Sequence, residues 1–447
     1  MNLFERFLQP EAVFSGEYNC RENCFMRLYD GMTAADLEEY IIKLADSGFT
    51  VRQRTEREGN MFALLTADIT VTALFTPNDG CLRLTAAPNT TLPRLVEEDC
   101  GGECQTAFFA FENDHTIIDC GMCLLVQCPD YSFFIVDSGH YFQFNDNDRI
   151  YKFMRERTPK GQKVVVNGWL ITHAHTDHIS KLIDFLKYNT DDTVIEGFYQ
   201  NLLPCDYPTD DSENHEEQEM AARLFRILEE YPAPVYKLHT GMRFYIRNLR
   251  FDVLYTHEDA FPEHIDDYND SSCVVMLEAA GTEIFIPGDA AVLADSVMKK
   301  RYSSSLKCDI VQIAHHGHTG LSAGFYELLG ADAAVFPVTR IMFEDELPKK
   351  EANRKAIELS KEYFITSDGT AVFPLPYKPG NAYTLPDETF EDFEKIKRIW
   401  RYVYTKERKD SLYELFIKNG GNPEDLVLPT SRYGWIEPKP PIGDENG

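Results

Sequence analysis

The chain has 447 residues, of which 43% are hydrophobic and 26% charged, enough to bury a large core and to exclude global disorder. Its 73 Asp and Glu outnumber 44 Lys and Arg, giving a net charge of −29, which argues against an extended nucleic-acid track because that needs a basic surface. At ~150 residues per domain, the length predicts two or three domains.

The N-terminal stretch, Met1 to Pro10, lacks a basic segment followed by an apolar one. No apolar run approaches the ~20 residues that a bilayer span needs, so no membrane segment is expected. Eleven cysteines form an odd set, and Cys123, Cys128 and Cys273 lie in apolar stretches, which points to a reduced cytoplasm. Cys20-x3-Cys24, Cys100-x3-Cys104 and Cys120-x2-Cys123 have the spacing of half a zinc knuckle. A structural zinc site needs four converging ligands, and Cys123 sits inside a strand-like run, so these residues read as ordinary thiols.

Residues 1–103 read as a small α+β domain. Thr33-Ala-Ala-Asp36 resembles a capping box, with Leu37, Tyr40, Ile41, Leu44 and Ala45 following at helical spacing and Gly48 as a stop. Strands are predicted at Met61–Leu65, Ile69–Phe75 and Cys81–Thr85, the last two joined by the turn Pro77-Asn-Asp-Gly80. Residues 104–376 read as a layered α/β domain. Its strands are expected at Thr106–Phe111, Met122–Gln127, Phe133–Val136, Val164–Ile171, Phe244–Ile246, Phe251–Tyr255, Cys273–Leu277, Glu283–Ile286, Ile310–Ile313 and Ala333–Val338. Glu216–Glu230 is an amphipathic helix with Met220, Leu224, Ile227 and Leu228 on one face. Residues 377–447 read as a C-terminal helical extension. There Phe390, Phe393, Ile396, Ile399, Trp400 and Val403 share a face, and Ser411-x-x-Glu414 opens a second helix.

The chemistry concentrates at strand ends. Leu170-Ile-Thr-His173-Ala-His175-Thr-Asp177-His178 runs a buried strand into four candidate metal ligands, imidazole nitrogen and carboxylate oxygen being the donors that zinc and similar ions prefer. His173 and His175 point the same way if the strand stays extended. Pro287-Gly288-Asp289 and Ala314-His315-His316-Gly317-His318 are two further strand ends, and each carries a ligand type.

His173-Ala-His175-Thr-Asp177-His178 resembles the HxHxDH signature of the metallo-β-lactamase superfamily. Asp137-Ser-Gly139, Gly288-Asp289 and the pair His315 and His316 resemble its remaining landmarks, in its order. The likeness covers Thr106 to Pro376 and implies a four-layer αββα sandwich with the metal site at one edge of the sheets. It implies that His173 and His175 hold one metal, that Asp177, His178 and His315 or His316 hold the other, and that Asp289 bridges. Asp177 and His178 are also the candidate catalytic residues, and Asp137 is expected to fix a ligand imidazole from behind. Many superfamily members carry a further His before the bridging Asp. Here that stretch reads Tyr268-Asn269-Asp270-Ser271, with His257 and His264 the nearest histidines, leaving Asn269 or Asp270 to offer oxygen or one metal site weak.

Asn269-Asp-Ser-Ser, Gly288-Asp289, Ala314-His-His-Gly317 and Thr366-Ser-Asp-Gly369 further resemble the hydrolase domain of DNA-uptake competence proteins of the ComEC type, with His318 where that group has Ser. The resemblance implies one or two divalent ions, zinc first and Mn or Fe next, that activate a hydroxide for attack on a phosphodiester or related small anionic ester. Two alternatives stand beside it: a hydrolase of lactones, thioesters or β-lactams, and a metal-binding scaffold or sensor without catalysis.

Overall fold

The computed structural model describes residues 3–20, 23–89, 91–115, 118–143, 145–204, 207–209, 215–302 and 306–386. The N-terminal sheet has six antiparallel strands in the order Val13–Asn19, Phe25–Asp30, Cys81–Pro88, Ile69–Thr76, Asn60–Thr66, Thr50–Arg57. Helix Ala34–Asp46 covers one face through Leu37, Tyr40, Ile41 and Leu44. The expected capping box starts it: Thr33 N–H donates to Asp36 Oδ2 at 2.8 Å, and Asp36 N–H to Thr33 Oγ1 at 3.2 Å. The Pro77–Gly80 turn joins Ile69–Thr76 to Cys81–Pro88 with Thr76 opposite Cys81.

Three strands of this sheet escape a sequence reading. In Thr50–Arg57 every second residue is exposed and, apart from Val51, the others are half-buried polar side chains, so no apolar alternation marks it. Val13–Asn19 lies at the opposite edge and buries no side chain fully. It pairs with Phe25–Asp30, which pairs in turn with Cys81–Pro88.

Two larger sheets form the rest. One runs Val235–Lys237, Phe198–Gln200, Val164–Ile171, Phe133–Asp137, Cys123–Gln127, Ala107–Ala110, Ala371–Pro374, Tyr383–Thr384, with Thr193–Ile195 also on Val164–Ile171. The other runs Arg243–Ile246, Leu249–Tyr255, Val274–Ala279, Thr282–Ile286, Ile310–Gln312, Ala333–Phe336, Glu362–Ile365. Period-two alternation sends opposite sets of side chains to the two faces of each sheet. Phe108, Leu124, Phe134 and Leu170 of the first meet Phe244, Phe251, Val275 and Ile284 of the second in a shared inner core. Outward, Leu125, Ile135 and Trp169 pack under helices Asp146–Arg157, Thr176–Tyr188 and His215–Glu230. On the far side Met276, Phe285 and Ala334 pack under Val292–Arg301 and Ala323–Leu329. The layers are helix, sheet, sheet, helix: the expected αββα sandwich.

The N-terminal sheet docks on this sandwich. Phe62, Leu64 and Leu74 enter the inner core. The Gln53 amide exchanges two bonds with the Arg243 backbone, at 2.6 and 3.0 Å. Most of the C-terminal helical segment, including Phe390 to Val403 and the Ser411 cap, lies outside the described residues. Among the described residues no helix is long and apolar enough to cross a membrane.

The inner core holds the two sheets at the separation the site needs. Phe251 is fully buried, with ring centroids 4.5 Å from Phe134 and 4.6 Å from Phe244. Phe251→Ala is expected to cost ~3–5 kcal/mol of unfolding free energy, a typical loss for a core Phe. Urea titration followed by circular dichroism measures it, and a loss below ~1 kcal/mol would contradict this packing account.

Candidate metal centre

The site is built where parallel strands end together. Val164–Ile171 pairs in parallel with Phe133–Asp137, which brings Thr172 beside Asp137. Asp137 Oδ1 accepts the Thr172 N–H at 2.8 Å, and Oδ2 accepts the Thr172 hydroxyl and His178 Nδ1–H, both at 2.7 Å. Trp169 Nε1–H donates to the Asp137 carbonyl at 3.0 Å, and Ser138 Oγ–H to the His178 carbonyl at 2.6 Å. The carboxylate therefore locks the turn and fixes the His178 tautomer at once.

Helix Thr176–Tyr188 begins immediately after His175. Its first turn presents Asp177 and His178, and its positive end favours the Asp177 charge. Glu217, from helix His215–Glu230, caps that end: Thr176 N–H donates to Oε2 at 2.8 Å and the Thr176 hydroxyl to Oε1 at 2.9 Å.

Asp289 follows Gly288, whose φ is 58°; a Cβ there would sit 2.8 Å from Thr172 Cβ. Only glycine allows this approach and this backbone. Asp289 N–H is held by Ser272 Oγ at 3.1 Å. The last donor comes from the tight turn Ala314–Gly317. His315 and His316 are both left-handed there, with φ of 51° and 54°. The turn is pinned from outside, since Ala314 N–H donates to Tyr326 Oη at 3.1 Å and Asn353 Nδ2–H to the Gly317 carbonyl at 2.7 Å.

Asp177, His178, Asp289 and His316 converge, with one donor atom of each within 4.8 Å of all the others. His178 Nε2 lies 3.1 Å from Asp289 Oδ2, and His316 Nε2 lies 3.2 Å from the same oxygen and 3.0 Å from Asp177 Oδ2. The two Nε2 atoms are 3.2 Å apart. His316 Nδ1 is 2.7 Å from the Pro337 carbonyl, which can only accept, so Nδ1 carries the proton. Both imidazoles thus spend Nδ1–H behind them and turn Nε2 into the centre. Asp289 Oδ1 is buried with no hydrogen-bond partner among the described residues.

Such a cluster calls for positive charge. Burial alone would lower His178 and His316, but Asp289 and Asp177 outweigh it, raising His178 well above its usual range and His316 to about 10. Burial would raise Asp177 and Asp289, but His178 and His316 hold both well below the usual carboxylate range. A divalent cation meets the same demand, and two carboxylates with two neutral imidazoles are a donor set that fits it.

A second group adjoins the first. His173 Nε2 is 3.1 Å from His175 Nδ1 and 4.0 Å from Asp289 Oδ2. Burial and the neighbouring His178 push His173 well down, which keeps it neutral and able to ligate. Asn269 Oδ1 is 3.0 Å from His175 Nδ1, so an amide oxygen faces this pair. Asp270 is committed elsewhere: its Oδ1 accepts the N–H groups of Ala291, Leu293 and Ala294 at the start of helix Val292–Arg301. His257 is bound to Asn201 Oδ1 at 3.0 Å, and His264 stacks on Tyr207. His315 stands outside the four-donor group. Its Nδ1–H donates to the Thr319 carbonyl at 3.0 Å, and its Nε2 faces Asn269 Nδ2 at 3.4 Å, which turns the Asn269 oxygen toward His175.

Sequence reading missed Glu217, Thr172, Asn353 and Cys120. Cys120 is raised by burial and by a hydrogen bond to Asp177. Each acts through a tertiary contact that no local motif marks; the Cys120-x2-Cys123 spacing points to a different role.

No protein-family model matches the chain, and no curated protein matches it. Among solved structures it is similar to the metallo-beta-lactamase fold protein YhfI from Bacillus subtilis, at 12% identity and a TM-score of 0.36, over 62% of this chain and 99% of that one. It is similar to a variant of the CmlA beta-hydroxylase at 11% identity and a TM-score of 0.37, over 61% of this chain and 54% of that one. A diphosphatase of the PhnP family matches at 16% identity and a TM-score of 0.31, over 52% of this chain and 86% of that one. These likenesses are weak. The metallo-β-lactamase-type sandwich is evident from this chain's own layers and from the strand ends that carry its donors.

Asp137→Asn keeps the side-chain shape but weakens the grip on His178 Nδ1–H. It is expected to lower metal affinity ~10–100-fold, the usual cost of losing a carboxylate behind a ligand histidine. Competition with a chromophoric chelator measures this, and unchanged affinity would contradict the role given to Asp137.

Proposed function

We propose that the chain is a metal-dependent hydrolase of phosphodiesters or related small anionic esters. The observation that carries this reading is the convergence of Asp177, His178, Asp289 and His316, with both Nε2 atoms turned inward and the Asp289 Oδ1 atom unpartnered. One or two divalent ions, zinc by donor chemistry with Mn or Fe as the other fits, would lower the pKa of a water to ~7 and offset negative charge that develops on the substrate.

The residues divide the work. Asp177, His178 and His316 would hold one ion; His173, His175 and the Asn269 oxygen would hold a second; Asp289 lies between the two groups. Asp137 and the Pro337 carbonyl keep the two inward imidazoles in the ligating tautomer. Asp177, whose side chain is the most exposed of the four donors, would orient the attacking water or accept its proton. His315 is a positioning residue that acts through Asn269.

The phosphodiester preference rests on the motif likeness to the competence-protein hydrolase and on electrostatics. A protein of net charge −29 repels anions at long range, so an anionic ester is admitted only where cations sit. The same reasoning keeps the substrate small.

With zinc or manganese supplied, the protein is expected to hydrolyse bis(p-nitrophenyl) phosphate and to turn over a lactone or a β-lactam more slowly. Asp177→Asn is expected to reduce kcat ~10²–10⁴-fold, the range for loss of a positioned acid–base group. Turnover of the carbon esters alone would overturn the substrate class. Metal-loaded protein inert toward all three would favour the scaffold reading.

A further inference from the structure

A second cluster of ligand-type side chains lies away from the centre and shares no residue with it. Cys20 follows strand Val13–Asn19 and Cys24 precedes strand Phe25–Asp30. Glu258 sits in the short helical turn His257–Asp259 that follows strand Leu249–Tyr255. The two sulfurs and one Glu258 carboxylate oxygen lie within 4.8 Å of one another. All three residues are buried, at 1%, 1% and 4% exposure.

The carboxylate is what makes this more than a pair of thiols. Glu258 Oε2 accepts from His239 Nδ1 at 2.8 Å. Glu258 Oε1 has no hydrogen-bond partner among the described residues. A buried carboxylate oxygen left unpartnered beside two sulfurs is unfavourable unless a cation meets it. Positive groups already surround the cluster: the Lys237 ammonium donates to the Cys20 carbonyl at 3.0 Å, and His239 stands behind Glu258.

We propose that Cys20, Cys24 and Glu258 form a second metal site that binds a zinc-type ion, with a water as the fourth ligand such an ion takes. Two thiolates and a carboxylate suit a borderline-soft divalent cation better than magnesium or calcium. Binding releases two thiol protons, and the resulting net charge of minus one lies beside the basic groups of His239 and Lys237. His239 holds the carboxylate by Oε2 and leaves Oε1 for the ion. The site joins the N-terminal hairpin to the second sandwich sheet at a seam that Arg83 also spans, donating to the Asp259 and Phe261 carbonyls, both at 3.3 Å. Its role is a staple between the two units, independent of hydrolysis.

X-ray absorption at the zinc edge tests this on the intact, zinc-loaded chain. Wild-type protein should show a sulfur shell at ~2.3 Å, the Zn–S distance of thiolate sites. The Cys20→Ser/Cys24→Ser double variant should lose that shell and one zinc equivalent while retaining zinc at the Asp289 centre. Cys120→Ser, which removes the thiol beside Asp177, should keep the shell. Should the double variant fail to fold, the cobalt-loaded wild type provides the second reading: a thiolate-to-cobalt charge-transfer band in the near ultraviolet that persists in Asp289→Ala. Absence of sulfur scattering and of that band, or a Cys20–Cys24 disulfide in the freshly purified protein, would overturn the proposal.

Discussion

The arrangement depends on two imidazole nitrogens that face each other across one carboxylate. His178 and His316 each spend Nδ1–H on a fixed acceptor, so their Nε2 atoms meet at 3.2 Å with Asp289 Oδ2 beside both. Two unprotonated nitrogens at that distance repel, and two buried carboxylates beside them would each cost several kcal/mol if left uncompensated. Only protons or cations make the assembly stable. The acceptors behind the rings hold both Nδ1–H groups and keep Nε2 turned into the centre, where a divalent cation would take the place of protons.

The sandwich exists in the form that delivers those atoms to one place. Parallel pairing ends Phe133–Asp137 and Val164–Ile171 at the same edge, and parallel pairing of Thr282–Ile286 with Ile310–Gln312 does the same on the facing sheet. Gly288 admits the close approach of the two edges. The consecutive left-handed conformations of His315 and His316 cost ~1–3 kcal/mol each, and the bonds from Tyr326, Asn353 and Pro337 hold them. The strain turns His316 inward and His315 toward Asn269, so two neighbouring residues serve different functions.

Donors that lie within a few residues of one another were legible in the sequence. His173 to His178, Gly288-Asp289 and His315-His316 announce themselves because a strand end is local and its ligands cluster there. Choices between equivalent neighbours were not legible. Nothing local says that Asn269 faces the centre while Asp270 caps a helix, or that His316 and not His315 joins the four donors. Glu217 capping Thr176 was equally hidden, as was Glu258 meeting Cys20 and Cys24. Those contacts are made by segments far apart in sequence, and their residue types are common on any surface. The fold divided the same way. Strongly apolar strands such as Val164–Ile171 were placed to the residue, whereas Thr50–Arg57 and helix Asp146–Arg157 carry too many charges to show an apolar period.

Crystals of the zinc-loaded protein, measured on both sides of the zinc absorption edge, test the central claim most directly. The account predicts an anomalous peak among His178 Nε2, His316 Nε2, Asp177 and Asp289, absent from Asp289→Ala crystals of the same form. Well-ordered side chains with no peak at that position, or a peak that survives in Asp289→Ala, would contradict it.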